Sequence, residues 1–272
     1  MIVLRILPLA SVLAALSLHP ETMTAQRYQE SDRMTCRDGD YHGGNGERYC
    51  DIREQRVRPG GTIKVDASPN GGVTVIGWDR NEILVRTKIT ANARSEARAR
   101  EIAEEVTVRI DGTSISAEGP SSRNREWWSA SFEIHAPRTS DLTVRSNNGG
   151  IEVGDVSGEM DLATTNGGLS LRGVSGDVRA ETTNGGLDVE LDGSEWRGRG
   201  LDARTVNGGI DLSVPRGYSA QLETGTVNGG LEVDFPIEVR GKINRRINAK
   251  LGDGGAPIRV TTTNGGVTIR RR

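Results

Sequence analysis

The sequence predicts an all-β protein: a single-chain parallel β-solenoid, or β-helix, preceded by a β-rich N-terminal region with one short helix. The triplet Asn-Gly-Gly occurs seven times, and the last six copies are spaced by 18, 18, 23, 21 and 36 residues. Ser or Thr stands two positions before every one of these asparagines. An apolar-variable-apolar tripeptide follows each of the last six triplets, and this period of two is typical of a strand with one buried face.

The spacing of the triplets favours stacked coils of about 18 to 23 residues, because a period near 20 is typical of solenoids. Such a short coil cannot bury its apolar residues alone, so successive coils must stack with their strands parallel. Gly-Gly would allow a positive φ at each corner, and stacked asparagine amides would form a hydrogen-bonded ladder. The predicted ladder residues are Asn148, Asn166, Asn184, Asn207, Asn228 and Asn264. Asn-Gly is also a hairpin signal, so an antiparallel, sandwich-like meander is the alternative.

The N-terminal β region is predicted at residues 57–140, ahead of the solenoid repeats at 141–272. Its one helix is predicted at 95–106, where Ser95 can cap the N-terminus. One face of this helix is apolar, and Glu96 can pair with Arg100 four residues later. We expect the helix to cover the first coil, and the arginines at 270–272 to protect the strand edge of the last coil.

The N-terminus predicts export. Residues 1–25 contain one arginine, an apolar stretch and a small-residue end, which is typical of a secretory signal peptide. Residues 26–56 form a leader in which Cys36 and Cys50, the only cysteines, surround a loop of turn-forming residues. An oxidising compartment favours a disulfide between them, whereas a metal site would need more ligands than His42 offers.

Composition excludes several classes of function. The 35 basic and 37 acidic side chains nearly cancel, which argues against a nucleic-acid-binding protein. No later segment is apolar enough to span a membrane, so we expect the mature chain to carry no membrane span. Histidines number three, too few for a multi-histidine metal centre, and no phosphate-binding glycine motif is present. We therefore predict no cofactor, and nothing in the sequence indicates an oligomeric state.

From about residue 57 to the end, the chain resembles a bacterial family of exported β-strand-repeat proteins that carry a domain of unknown function and the label "putative adhesin". The resemblance rests on Gly-Gly-Val-Thr-Val-Ile-Gly-Trp-Asp-Arg at 71–80, the Thr-Thr-Asn-Gly-Gly coils and the ending at 251–269. It implies a β-helical fold and a location in the cell envelope. It supplies no catalytic residue.

An acidic row is the first candidate site. Sequential stacking would place Asp188, Asp211 and Glu232 in one outward row about 5 Å apart. Such a row could bind Ca²⁺, or supply the acid and base of a polysaccharide-cleaving enzyme. The simpler interpretation is a solvated strand face whose repulsion is relieved by neighbouring arginines.

Tryptophans are the second candidate site. Strand alternation places Trp128 in the core and Trp127 on the opposite face, where it could stack on a sugar or a partner. Trp196 lies in the insertion of the 23-residue coil, which either folds back on the coil or forms a contact loop. We list Trp127 and Trp196 as candidate contact residues.

The sequence thus favours a non-enzymatic, exported structural or interaction protein of the bacterial envelope, adhesin-like, with an envelope protein or glycan as partner. Two alternatives stay open: a carbohydrate-active enzyme, either a lyase or a hydrolase, and a regulatory or sensor module of the envelope.

Overall fold

The computed structural model describes residues 34–36, 42–43, 46–123, 125–236, 238–239 and 245–272. Residues 34–272 form one compact unit, and the signal peptide predicted at 1–25 lies outside the described residues. The described part is all-β apart from one helix, which confirms the predicted class. Cys36 and Cys50 form the predicted disulfide. Within the described ranges, no helix has the length and apolarity needed to cross a bilayer.

Two sheets of eleven strands each contain all the described strands. Across sheet A the order is β1 (His42–Gly43), β2 (Gly46–Val57), β5 (Ile83–Ala93), β8 (Trp127–Pro137), β4 (Val73–Trp78), β10 (Ile151–Gly154), β12 (Leu169–Arg172), β14 (Leu187–Glu190), β16 (Ile210–Val214), β22 (Val267–Arg271) and β18 (Leu231–Val233). Across sheet B it is β19 (Glu238–Val239), β20 (Arg246–Leu251), β17 (Ala220–Asn228), β21 (Pro257–Asn264), β15 (Gly200–Asn207), β13 (Ser175–Asn184), β11 (Ser157–Asn166), β9 (Leu142–Asn148), β3 (Ile63–Asp66), β7 (Ser114–Glu118) and β6 (Thr107–Asp111).

Each Asn-Gly-Gly triplet forms a corner that connects a strand of sheet B to a strand of sheet A. We name each such two-stranded unit by its asparagine, so that coil 148 consists of β9, the corner and β10. Neighbouring coils pair in parallel and in register, with Asn148 opposite Asn166 and Asn166 opposite Asn184. The antiparallel meander is therefore wrong for the coils, because each strand pairs in parallel with the equivalent strand of the neighbouring coil.

The order of coils in the stack differs from their order in the sequence. It runs 70, 148, 166, 184, 207, 264, 228, so that the C-terminal coil lies between two coils that are consecutive in the chain. The expectation that the arginines at 270–272 protect the last edge is wrong, since β22 is flanked by β16 and β18. β17 pairs with β20 on the side that faces away from coil 207. The later strand β21 pairs with the other side of β17 and so lies between it and coil 207.

The core lies between the two sheets and continues from coil to coil. In the six coils from 70 to 264, the two apolar residues after the triplet are buried, as Ile151 and Val153 are in coil 148. The strands of sheet B supply the opposite wall, with Leu142 and Val144 in that coil. Alternation along each strand therefore directs one face inward, as the sequence pattern predicts.

The helix, α1 (Glu96–Glu105), packs against β2 and β5, near the end of the stack where coil 70 lies. Ser95 caps it by accepting a hydrogen bond from the Arg98 amide at 3.3 Å. At its other end Arg53 of β2 donates to the carbonyls of Val106 at 2.7 Å and Ala103 at 3.0 Å. A cation at a helix C-terminus is favourable because the last carbonyls lack helical partners.

Candidate functional site

The asparagine side chains of the seven corners form a continuous hydrogen-bonded ladder along the stack. At each of the six junctions, the Nδ2 of one asparagine donates to the Oδ1 of the asparagine in the preceding coil, at 2.8 to 3.0 Å. The ladder follows the stack order, so Asn264 donates to Asn207 and Asn228 donates to Asn264. The side chains lie on the surface and connect every coil to its neighbour.

A second ladder runs inside the corner. In each of the six coils that follow coil 70 in the stack, the buried Ser or Thr two positions before the asparagine donates its hydroxyl to the carbonyl oxygen of the first glycine in the preceding coil. Thr182 donates to Gly167 at 2.7 Å, and all six junctions have this bond. These hydroxyls satisfy carbonyl groups that have no ladder partner, which is why Ser or Thr recurs there.

The first glycine of each triplet is required by close approach between coils. A Cβ built on Gly167 would lie 2.2 Å from the carbonyl oxygen of Gly149, so no side chain fits. The expectation of a positive φ at these corners is wrong for most copies, since only Gly71 and Gly265 of the triplet glycines have one, at 159° and 156°. The triplet brings two backbones together where any other residue would separate them.

A groove runs beside this corner on the outer face of sheet B, and we call it the corner groove. It has a volume of about 1140 Å³ and extends from Pro69 to Asn248, across the whole stack. It is lined by Ser68 and Pro69, by the three residues before each of the other six asparagines, by Glu223 and Thr224 of β17, and by residues 246–248 of β20. The exposed column along it consists of Asn147, Thr165, Thr183, Val206, Thr263 and Val227.

Charges beside the corner groove alternate in sign. Five neighbouring strands place alternating signs opposite one another, in the order Asp161, Arg179, Asp202, Arg259 and Glu223. Arg259 contacts Glu223 at 2.8 Å and Asp202 at 3.5 Å, and Arg179 contacts Glu181 at 2.8 Å. The groove is therefore polar and rich in hydroxyl groups, and charges of both signs are interspersed along it, so its surroundings do not strongly favour a ligand of either charge.

The predicted acidic row is interrupted. Asp188 and Asp211 are opposite each other on β14 and β16, but Thr268 lies between Asp211 and Glu232 because coil 264 is inserted there. Arg270 contacts Asp211 at 3.3 Å. Asp188 and Asp211 border a shallow depression of about 790 Å³ along the second glycines of the triplets. Within the described part of the chain, no three His, Cys, Asp or Glu side chains are placed to hold a metal ion.

The tryptophans divide between core and surface. Trp196 is only 6% exposed and donates its indole N–H to the Gly176 carbonyl at 3.0 Å, so the insertion folds back on the preceding coil, the first of the two arrangements considered for it, and Trp196 offers little surface for a contact. Trp128 is buried and donates to the Pro120 carbonyl at 2.7 Å. Trp127 is half-buried, with the guanidinium of Arg48 at 5.4 Å from its ring. Of these three, only Trp127 has surface to offer a ligand.

A buried charge cluster lies on the outer face of sheet A, near coil 70. Glu133 is 5% exposed and contacts Arg86 at 3.2 Å and His135 at 3.0 Å, while the backbone N–H of Met34 donates to it at 2.8 Å. Burial opposes ionisation of Glu133, but the hydrogen bonds from His135 and Met34 and the nearby charges outweigh it and lower its pKa. Met34 lies two residues before Cys36, whose disulfide holds this segment against the sheet.

Sequence reasoning missed the role of two sets of residues. The recurrent Ser or Thr two positions before each asparagine was visible as a pattern, and its regularity was the available signal for the hydroxyl ladder. The cluster around Glu133 had no such signal, because its members come from three segments: the pairing of β5 with β8 places Arg86 beside Glu133, and the Cys36–Cys50 disulfide holds the segment of Met34. The corner groove is likewise produced by stacking, not by any local motif.

Three solved structures resemble this fold at low identity. A "putative cell adhesion protein" from Clostridium sporogenes is 11% identical, with a TM-score of 0.43 over 82% of this chain and 100% of the other. A "putative adhesin" from Bacteroides fragilis is 10% identical, with a TM-score of 0.33 over 82% and 97%. A "putative lipid binding protein" from Parabacteroides distasonis is 8% identical, with a TM-score of 0.37 over 82% and 98%.

No curated protein matches this chain. A family model described as Toastrack DUF4097 matches residues 53–270, which covers most of the chain and nearly all the strands described above. This confirms the resemblance to a β-strand-repeat family with a domain of unknown function. The chain belongs to the Toastrack DUF4097 family.

Proposed function

We propose that this chain is a non-enzymatic, exported interaction protein of the bacterial envelope, which binds an extended neutral polymer such as a glycan in the corner groove. The observation that carries this proposal is the groove itself, continuous over the coils from Pro69 to Asn248. A long site with repeating walls fits a ligand that is itself a repeating chain. The hydroxyl groups of Thr165, Thr183 and Thr263 offer hydrogen bonds to such a ligand.

The scaffold beneath the groove supports this role. Every coil is joined to the next by parallel strands and by both corner ladders, so the wall residues are held at fixed spacing. A preformed site loses little conformational entropy on binding. We also propose that the stacked coils form a two-sheet parallel β-solenoid, with the strands of residues 57–140 as its first part and residues 141–272 as its repeats.

Export is the second part of the proposal. The signal peptide at residues 1–25 would direct the chain out of the cytoplasm, and the leader at 26–56 would then gain its disulfide. The bond between Cys36 and Cys50 supports this, because structural disulfides persist in oxidising compartments. The final location would be the periplasm, the cell surface or the medium.

Binding to immobilised neutral and acidic envelope polysaccharides tests the groove. The double variant Thr165→Arg, Thr183→Arg places two bulky cations in the exposed column, and we expect it to weaken binding to a neutral polysaccharide roughly tenfold or more. Ser170→Arg is the matched control, since Ser170 lies on the outer face of sheet A. Equal loss in both variants, or no saturable binding by the unaltered chain, contradicts the proposal.

The same polysaccharides test the non-enzymatic part. We expect no new reducing ends and no unsaturated products after prolonged incubation. Release of reducing ends that disappears with Asp211→Asn would identify a carbohydrate-active enzyme instead, with the acidic row as its site.

A further inference from the structure

The corner groove has two halves that differ in chemistry. The exposed residues of its column, in the order of the stack, are Asn147, Thr165 and Thr183 in the first half, and Val206, Thr263 and Val227 in the second. The first half therefore presents an amide and two hydroxyl groups, whereas the second presents one hydroxyl group between two isopropyl groups.

The two valines are unusual within this protein. Of the valine, leucine, isoleucine, methionine and aromatic side chains in the described ranges, only Val206 and Val227 are strongly exposed, at 44% and 49%. Each stands one position before the asparagine of its coil, and both line the same groove. A single exposed apolar side chain is normal on a protein surface, but two in one column of one groove form a local apolar surface.

Coil 264 separates the two valines along the stack. They are therefore two strand spacings apart, about 10 Å. This distance is close to the length of a disaccharide in an extended glycan, so substituents that recur along such a chain would meet both valines. Between them lies Thr263, whose hydroxyl group has no hydrogen-bond partner among the described residues and is available to an acceptor on the ligand.

Two charged side chains that line this half are already paired. Arg204 donates to Asp202 at 2.7 Å, and Glu223 accepts from Arg259 at 2.8 Å. A charged or hydroxyl group of a ligand placed on the valines would lose water and gain no partner in return. An apolar group in the same place would be removed from water, which is favourable.

We propose that the neutral glycan bound in the corner groove carries O-acetyl groups, whose methyl groups lie on Val206 and Val227. This inference rests on the proposed function and adds the substituent that the groove selects. The ester carbonyl accepts from Thr263, while unsubstituted sugars hydrogen-bond to Thr165 and Thr183. A long acyl chain does not fit this arrangement, because the hydroxyl group of Thr263 interrupts the apolar surface.

The probe is a fluorescently labelled, O-acetylated glucomannan oligosaccharide, compared with the same oligosaccharide after mild alkali has removed its acetyl groups. We expect the full chain to bind the acetylated form about tenfold more tightly in anisotropy titrations, because two methyl groups are buried. The double variant Val206→Thr, Val227→Thr keeps the shape of both side chains, and we expect it to bind the two forms nearly equally.

The matched control is Thr165→Val, Thr183→Val, which makes the reverse change in the other half of the groove. It should weaken binding of both forms alike and keep the preference for the acetylated form. Thermal melts establish that the variants fold. If the double valine variant does not, the single variant Val206→Thr decides the question, and its preference should fall to about threefold.

Equal affinity of the unaltered chain for the two forms overturns the selection of acetyl groups. So does a preference that survives Val206→Thr, Val227→Thr, or one that the control variant removes. The proposed function still stands in these cases if Thr165→Arg, Thr183→Arg weakens binding of both forms. Absence of saturable binding of either form, and of every other neutral polysaccharide, contradicts the proposed function and this inference together.

Discussion

The two ends of the stack are finished in different ways. At one end β8 covers coil 70, where the amides of Ala130 and Phe132 donate to the carbonyls of Asn70 and Gly72, each at 2.9 Å. Helix α1 and the antiparallel strands β2 and β5 extend that end further. At the other end, β18 is the last described strand of sheet A, whereas β17 of the same coil is followed in sheet B by the antiparallel β20, with the Thr226 amide donating to the Arg245 carbonyl at 2.9 Å. The same triplet thus has different neighbours at the two ends, so its contribution to stability depends on its place in the stack.

We expect the largest difference in stability from adding one methyl group to a glycine of the triplet. In Gly167→Ala the new Cβ would lie 2.2 Å from the Gly149 carbonyl oxygen, so the coils must separate. We expect a loss of about 3 kcal/mol in the free energy of unfolding, measured by urea denaturation. Gly230→Ala in coil 228 should stay within about 0.5 kcal/mol of the parent chain. Equal stabilities for the two variants would show that close packing is not what the glycine provides.

The closed end can be weakened through its buried carboxylate. Glu133→Gln removes a charge that Arg86, His135 and the Met34 amide hold, and we expect a loss of about 2 kcal/mol at pH 7. Because the pKa of Glu133 is lowered in the folded state, this stabilisation is present above the ordinary carboxyl pKa of 4.5 and is lost as the pH falls through the lowered value. Urea denaturation at several pH values should therefore show the difference shrinking in acid.

Glu118→Gln is the matched control for that experiment, because Glu118 is exposed and its contact with Arg109 is at the surface. Its substitution should change stability little at any pH. A difference between Glu133→Gln and the parent chain that grows as the pH falls would contradict the sign of the shift.

The hydroxyl ladder predicts a smaller effect at internal junctions. Thr182→Val keeps the shape of the side chain but removes the donor to the Gly167 carbonyl, and we expect a loss of about 1 kcal/mol. Thr183→Val, one residue later and exposed, is the control and should be nearly neutral. If Thr183→Val is the more damaging of the two in thermal unfolding, the buried hydroxyl is not the stabilising group.

The asparagine ladder predicts the smallest effect and the most direct comparison between positions. Asn184 donates to Asn166 and accepts from Asn207, whereas Asn228 donates to Asn264 and accepts from no other asparagine among the described residues. Since these amides are exposed to water, we expect Asn184→Ala to lose about 0.5 kcal/mol and Asn228→Ala less than that. Differential scanning calorimetry of the two variants checks the order, and a larger loss at Asn228 would contradict it.

Much of the fold could be predicted from the local pattern. The strands after each triplet, the helix capped by Ser95 and the buried face of β8 with Trp128 follow from periodicity and capping, which act within a few residues. The order of coils could not be predicted, because coils 228 and 264 carry the same Thr-x-Asn-Gly-Gly-apolar pattern, which fits either of them against coil 207. Local residues do not distinguish such equivalent neighbours, and the chain path through β20 decides between them.

The candidate sites were harder to predict for the same reason. The acidic row assumed that Asp211 and Glu232 are neighbours, and inserting one coil places Thr268 between them. Trp196 lies in an insertion for which the sequence left both folding back and a contact loop open, and its indole donates to the Gly176 carbonyl on the preceding coil. A site formed by residues from several coils can be predicted only once the order of the coils in the stack is known.

The inserted position of coil 264 has a consequence for how the chain is made. Residues 220–233 leave the ribosome, and cross the membrane if the chain is exported, before the strands that lie between them and coil 207. Coil 228 therefore cannot reach its final neighbours until residues 257–271 have followed. A chain interrupted after residue 251 would lack β21 and β22, the strands that separate β17 from β15 and β18 from β16.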